Sequence, residues 1–358
     1  MASTIHFPEK TKESFLELFA KESETNDLFS HEMDMEFSGV RTVHVHTIKT
    51  EKLQDYNRNK EVGTGSRYGT TKEVADSVQT FTMTQDKSLS LSIDKGNNKE
   101  QFNMKQAGKV MKEERQQEIV PYVDTYRLAK WAKDAGIHME LTSELSKSNI
   151  VTAIMDAKTL MLDAGCPDDI KLLVQRKYFK FLKLSDEWIG ADSLAGKTLP
   201  KGVLGEFDGM MTRQVTSKRM PENVPFMLIY KGAVIAPMKI NDFKGHVDPP
   251  FLSGDLLEFR MIHDAFVIGA RASGVCAACK TGSVVKTPSL SNSDGTVTFS
   301  CGTASVTYYY TTDGSDPRYS IDAKTGGTAS LTAGDQLRVY AAKEGMFNSA
   351  VAALDYNG

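Results

Sequence analysis

The residues whose types could do chemistry in this chain are few and scattered. Cys276-Ala-Ala-Cys279 has the spacing of half a zinc or redox motif. A zinc site needs two further ligands at matching spacing, and a redox site needs a helix start behind a strand. The pair therefore reads as small buried or linker thiols, and with Cys166 and Cys301 it makes no disulfide framework in a chain this size. His44 and His46 project to one strand face at period two and could hold a metal. Without a third histidine or a carboxylate beside them, they read as solvated strand histidines. Asp313, Asp316 and Asp322 crowd one stretch and could supply part of a calcium shell, but Asp313-Gly314 and Asp316-Pro317 are turn chemistry first. Gly63-Thr-Gly65-Ser-Arg67-Tyr68-Gly69 has the composition of a phosphate cradle and lacks the lysine and hydroxyl that close one. Glu113-Glu114 reads as helix-surface charge and Asp168-Asp169 as helix-start charge. There is no GxSxG, no HExxH and no acid pair set across a cleft. The expectation is no catalytic, cofactor or metal site, and no enzyme.

The elements that would have to position such groups describe something else. Residues 104 to 133 read as one long helix, with Ala107, Val110 and Met111 on one face and Ile119, Tyr122, Val123, Tyr126 and Ala129 continuing one at helical spacing. Its middle, 112 to 118, is almost wholly charged or amide, so it is a spine more than a core element. Pro121 removes a backbone donor, and a kink or break is expected there. Ahead of it, 78 to 85 and 88 to 94 alternate cleanly and read as a hairpin closed by Gln85-Asp86-Lys87. Phe81, Met83, Leu89, Leu91 and Ile93 form its apolar face. An isolated hairpin is marginal in water, so that face is expected to lie partly on another copy of the chain. A substitution such as Leu91→Asp is then expected to abolish assembly and leave the axial domain, residues 149–235, folded. Residues 8 to 22 form an amphipathic helix with Phe15, Leu16, Leu18 and Phe19 on its apolar side, again with no partner nearby in sequence.

Downstream, helices are expected over 149 to 164 and 175 to 186, and strands near 170 to 174, 203 to 215, 226 to 230, 236 to 240 and 256 to 268: a mixed α+β unit. After about Cys276, Ser and Thr dominate, and short strands alternate with Gly and Asp turns, the pattern of a small β-sandwich. At 358 residues the chain can hold two or three cores. A formal net charge of -3 excludes a strongly basic nucleic-acid wrapper, and no stretch is apolar enough for a secretory signal or membrane span.

The run AGKVMKEERQQEIVPYVDTYRLAKWAK, the strands before it, and FMLIYKGAVIAPMKINDFKGHVDPPFLSGDLLEFRMIHDAFVIGARASGV together resemble the major capsid proteins of tailed bacteriophages, the Hong Kong phage capsid fold. The resemblance implies an α+β capsid subunit: N-terminal arm (1–50), extended β-hairpin loop (51–100), peripheral domain with the spine helix (101–148 and 236–275) and axial domain (149–235). It also implies self-assembly as hexamers and pentamers into an icosahedral shell around double-stranded DNA, made in a bacterial cytoplasm. Expected partners are portal and separate scaffolding proteins, the latter because the chain starts at the arm, with weak, non-specific contact to the packaged DNA. Inter-subunit contacts are expected at Phe15, Phe19, Arg58, Arg67, Tyr68, Phe81, Met83, Leu89, Leu91 and Ile93. After a linker at 276–282, VTYYYTTDGSDPRYS and VYAAKEGMFNSAVAALDY resemble the immunoglobulin-like C-terminal domain of chitobiases (283–358), with Tyr309, Asp313, Gly314, Asp316 and Pro317 as its motif. That implies an outward-facing decoration, with weak glycan adhesion or no ligand as open alternatives. A tail or baseplate component, and a glycoside hydrolase with an accessory domain, are the competing readings. The first 275 residues lack the strand-helix alternation and acid pair of the latter.

Overall fold

The computed structural model describes residues 23–29, 42–48, 53–60, 66–69, 71, 73–74, 76–100, 106–185, 189–190 and 203–356. The segment carrying Phe15 and Phe19 lies outside them. The chain divides into two compact units, one of Met1–Arg41, Met83–Val284 and Met346–Asn348, the other of Thr42–Thr82, Val285–Gly345 and Ser349–Gly358. In chain order, strands β1 (Thr42–Ile48), β2 (Asp76–Thr82) and β3 (Gln85–Asp94) precede helices α1 (Lys95–Glu100), α2 (Ala107–Glu114) and α3 (Val120–Lys133). Then come β4 (Ile137–Glu140), α4 (Ile150–Asp163), β5 (Ile170–Gln175), α5 (Arg176–Lys183), β6 (Ile189–Gly190), β7 (Val203–Phe207), β8 (Met210–Val215) and β9 (Phe226–Tyr230). β10 (Val234–Ile235), β11 (Met238–Val247), β12 (Gly254–His263), β13 (Phe266–Val267) and β14 (Val275–Cys279) complete the first unit's strands.

The spine does not break at Pro121. Arg115–Ile119 form a π-helical turn between α2 and α3, with the Val120 N–H donating to the Arg115 carbonyl, and Pro121 falls in the first turn of α3. The wider turn rearranges the backbone bonds where the proline amide is missing, so the rod continues. α2 buries no residue. α3 buries Val123, Leu128, Trp131 and Ala132, together with Asp124 and Arg127.

A seven-stranded sheet in the order β4-β14-β9-β5-β8-β7-β6 forms the centre of the first unit. Ile154, Ala157 and Met161 of α4 and Tyr178, Phe179 and Leu182 of α5 share a core with Leu172, Val174, Phe226, Leu228, Cys276 and Ala278 of the sheet. Residues 276–282, expected as a linker, begin as the inner strand β14, buried at all five positions and in contact with both α3 and α4. Its small side chains read as a linker by composition, yet they are what lets helices approach a strand closely. β14, with β4 on its other side, pairs with β9 of what was expected to be a separate axial domain, so the seven-stranded sheet runs across the boundaries at 148 and 236. Asp168-Asp169 precede a strand, not a helix.

The expected hairpin is also corrected. β2 pairs with β1, Thr42 opposite Thr82 and Ile48 opposite Asp76, while β3 pairs with β12 in the three-stranded sheet β11-β12-β3. Gln85-Asp86-Lys87 lie within β3, and the chain passes from one pairing to the other at Met83 and Thr84. Alternation correctly marked both strands, but periodicity carries no information about which strand is the neighbour.

The second unit contains the β1–β2 ribbon and a sandwich. Its strands are β15 (Ser289–Ser293), β16 (Thr296–Ser300), β17 (Thr307–Thr311), β18 (Lys324–Thr325), β19 (Thr328–Ser330), β20 (Gln336–Ala342) and β21 (Ala352–Asp355). They form sheets β15-β16-β19 and β18-β17-β20-β21 around Val297, Phe299, Ala329, Leu331, Leu337 and Val339. Tyr308 and Tyr310 pack edge-on to Phe299, with ring centroids 5.8 and 5.5 Å away. Tyr309 points the other way and stacks on Tyr340.

Candidate functional site

The densest polar arrangement among the described residues was not visible in the sequence. Residues 23–29 lie against α3 and the turn after β8. Asp124, 1% exposed, accepts from Ser23 Oγ at 2.7 Å, Glu24 N at 2.7 Å and Thr25 Oγ1 at 2.7 Å, and from Arg219 Nη1 at 2.8 Å. Arg213 donates to the Glu24 carbonyl and to Asp27 Oδ2, and Thr216 donates through N and Oγ1 to the Glu24 carboxylate. Arg127 reaches Thr25 Oγ1 and Asn26 Oδ1 and lies over the Phe29 ring. Burial pulls the Arg127 guanidinium down to about 10, with Asp124 opposing, so it stays cationic at neutral pH. Buried charges persist only when paired and hydrogen-bonded. This set therefore clasps the end of the N-terminal segment to the spine. Ser-Glu-Thr-Asn-Asp is an ordinary polar run in sequence, and only the fold brings Arg213 and Arg219 to it.

A second cluster joins the start of β3, the first half of α3 and the end of β12. Asp264 accepts from Tyr126 Oη at 2.7 Å and from Thr84 N and Oγ1 at 2.8 and 2.9 Å. His263 is fully buried edge-on to Tyr122 and Tyr126, and its ring nitrogens have no partner among the described residues. Burial, with Arg127 adding, pushes its imidazolium down to about 4. Burial and Asp264 push the Tyr126 phenol up to about 12. His263 is thus neutral, and the cluster fixes the point where the chain leaves the first unit's sheet.

The expected contact residues divide. Phe81 and Met83 are 2% exposed and Ile93 5%, so all three are already sealed in a single chain and are not free for another subunit. Leu91 stands opposite the buried Leu257, and Leu89 opposite Phe259. Both share the face of the sheet that lines grooves beside the spine, so Leu91→Asp would disturb the chain's own fold. Arg58, Arg67 and Tyr68 lie in the segment between β1 and β2. There Asn57 N donates to the Arg67 carbonyl, Arg67 Nε to the Lys60 carbonyl, and Tyr56 meets Tyr68 edge-on. Leu53, Tyr68 and Val74 of this loop are 103%, 80% and 71% exposed.

The candidate chemistry resolves into structure. Burial pushes the Cys276 thiol up to about 12 and the Cys279 thiol higher still, so neither is a ready ligand or nucleophile. No group of histidine, cysteine or acid side chains suited to a metal occurs among the described residues. His44 and His46 stand opposite Thr80 and Val78. Asp313 Oδ1 accepts from Ser315 N and Oγ. Asp316 holds Arg318 through both oxygens, which occupies the carboxylates expected to offer a calcium shell. Gly314 sits at positive φ against Gln336, where a Cβ would fall 2.4 Å from the side-chain oxygen, so the turn requires glycine. No described helix is long and apolar enough to cross a membrane.

Residues 288–353 match the family described as the Chitobiase/beta-hexosaminidase C-terminal domain. No curated protein matches the chain. Among solved structures, one from Mycobacterium phage Che8 is similar at 17% identity and a TM-score of 0.55, covering 76% of this chain and 96% of that one. The capsid of cyanophage P-SCSP1u matches at 12% identity and a TM-score of 0.55, over 77% of this chain and 93% of that one. The mature capsid of bacteriophage PhiM1 matches at 12% identity and a TM-score of 0.56, over 78% of this chain and 97% of that one. The chain thus has the α+β fold of phage capsid structures, followed by an all-β domain like that at the C-terminus of chitobiases.

Proposed function

We propose that this chain is the major capsid subunit of a tailed bacteriophage, assembling as hexamers and pentamers into an icosahedral shell around double-stranded DNA. The observation that carries the reading is the similarity over nearly the whole length of the capsid structures. The physical features agree with it. The loop around Leu53, Tyr68 and Val74 exposes large apolar side chains, and such surfaces mark contact sites. The clasp at Asp124 and the cluster at Asp264 fix residues 23–29 and Thr84 within the first unit. With a net charge of -3, contact with DNA is diffuse and weak. The sandwich is an outward decoration. Purified chain at rising concentration, examined by sedimentation and electron microscopy, tests this: closed hollow particles are the expected result. Tubes or flat rings alone would favour a tail component, and a monomer at all concentrations would overturn the reading.

A further inference from the structure

A groove of about 480 Å³ runs between the spine and the three-stranded sheet, within the first unit. Ile119 and Val123 line it from the spine, and Phe243, Phe259 and Met261 from β11 and β12. Its volume falls in the range of small-molecule sites, about 300–1,000 Å³. A second hollow of about 280 Å³ shares Ile119, Phe259 and Met261 with it and carries the apolar lining on to Leu89 and Tyr122. The lining is open: Phe243 is 48% and Tyr122 37% exposed. Its ionisable groups are unbalanced. In the larger groove they are Lys112, Arg115, Arg127 and one carboxylate, Asp124. Asp124 already accepts from Ser23, Glu24, Thr25 and Arg219. Arg127 is buried and cationic, and its Nε has no acceptor among the described residues. Lys112 and Arg115, one helical turn apart, are exposed and make no ion pair among the described residues. In the smaller hollow Lys87 and Glu118 offset each other.

We propose that this groove binds a single-chain alkyl carboxylate. The head lies between Lys112 and Arg115, and the chain runs over Ile119, Phe259 and Met261 into the hollow beside Leu89 and Tyr122. The chemistry follows from the lining. An apolar floor open to water is stabilised when hydrocarbon covers it. A neutral alkyl chain would use that floor alone, whereas a carboxylate also meets the Arg115 guanidinium fork to fork and the Lys112 ammonium. The fixed charge of Arg127 adds potential of the same sign, and no unengaged acid in the larger groove opposes it. An alkyl cation of the same length is disfavoured by all three. From Arg115 to Tyr122 the spine rises about 10 Å at 1.5 Å per residue, a span suited to a chain of medium length.

The test is isothermal titration of the full-length, unassembled chain with dodecanoate below its micelle concentration. Saturable binding at one site per chain is expected, weakening as salt is raised. Dodecyltrimethylammonium is expected to bind at least about tenfold more weakly, since reversing the charge of the head removes the charge-assisted contacts. Lys112→Gln/Arg115→Gln should weaken dodecanoate by at least about tenfold. Ile119→Glu, which sets a carboxylate on the floor, should also weaken it while leaving both cations in place. Lys109→Gln/Lys133→Gln removes the same net charge from exposed positions off the groove and should leave the affinity unchanged. The melting temperature of each variant checks that it is folded; where Ile119→Glu is not, the Lys112/Arg115 pair decides, because both side chains are exposed. No binding up to the micelle concentration, equal affinity for the cation, or equal effects of the Lys112/Arg115 and Lys109/Lys133 pairs would overturn the inference. It stands apart from the shell reading: a chain that forms closed particles and fails to bind dodecanoate sinks this inference alone, and one that binds dodecanoate and forms no particles sinks only the other.

Discussion

Asp124→Ala is the perturbation with the largest worked consequence. Its carboxylate holds Ser23, Glu24, Thr25 and the Arg219 guanidinium at 2.7 to 2.8 Å. Truncation leaves Arg219, 7% exposed, with the Glu24 carboxylate at 4.0 Å in place of its close partner. Removing one member of a buried pair costs about 3–5 kcal/mol. Each 1.4 kcal/mol is about tenfold in an opening equilibrium, so local opening of residues 23–29 should rise by about two to three and a half decades. Hydrogen exchange reads this at the Glu24 amide, bonded to Asp124, and at the Leu28 amide, bonded to the Thr25 carbonyl. Adding Arg219→Met should restore part of the protection, because it removes the Arg219 cation that truncation of Asp124 leaves buried without its close partner. Exchange at both amides within threefold of the native chain, with α4 and α5 still protected, would refute the reasoning.

Three further outcomes follow from single features. His263 keeps its neutral form down to about pH 4 while the unfolded chain takes up a proton near 6.5. Its contribution is therefore intact above about 6.5 and lost as pH falls toward 4, by about 3 kcal/mol at most; the difference in melting temperature between pH 7 and 4.5 should shrink in His263→Phe. Gly136→Ala places a Cβ 2.3 Å from the Ala272 carbonyl, a backbone clash that should lower the melting temperature by several degrees, whereas Gly108→Ala, facing open space, should not. A chain ending before Val275 loses β14 from inside the seven-stranded sheet and should be insoluble, while one ending after Val284 keeps it and should stay soluble, as judged by fractionation after expression.

Much of the element order was legible. The helix stop at Gly165, the strand 170–174, the alternation of Leu89, Leu91 and Ile93 with serines, and the tyrosine alternation in the sandwich are local patterns, and local patterns survive folding when burial agrees with them. The motif of the last domain was legible too, because Asp-Gly and Asp-Pro turns are set by backbone preference alone. Pairing was not. Nothing in residues 76–94 says that β2 turns to β1 and β3 to β12, since a strand's periodicity fixes its face and leaves its neighbour open.

The sequence by itself determined which stretches are helix or strand, which faces are apolar, and that no catalytic or metal constellation is spelled out in adjacent residues. Only the tertiary structure decided that Cys276 to Cys279 form an inner strand, and that Asp124 meets residues some hundred positions before it and Arg219 after it. The physical reason is that hydrogen bonds and packing between distant segments depend on positions in space, which periodicity along the chain does not encode.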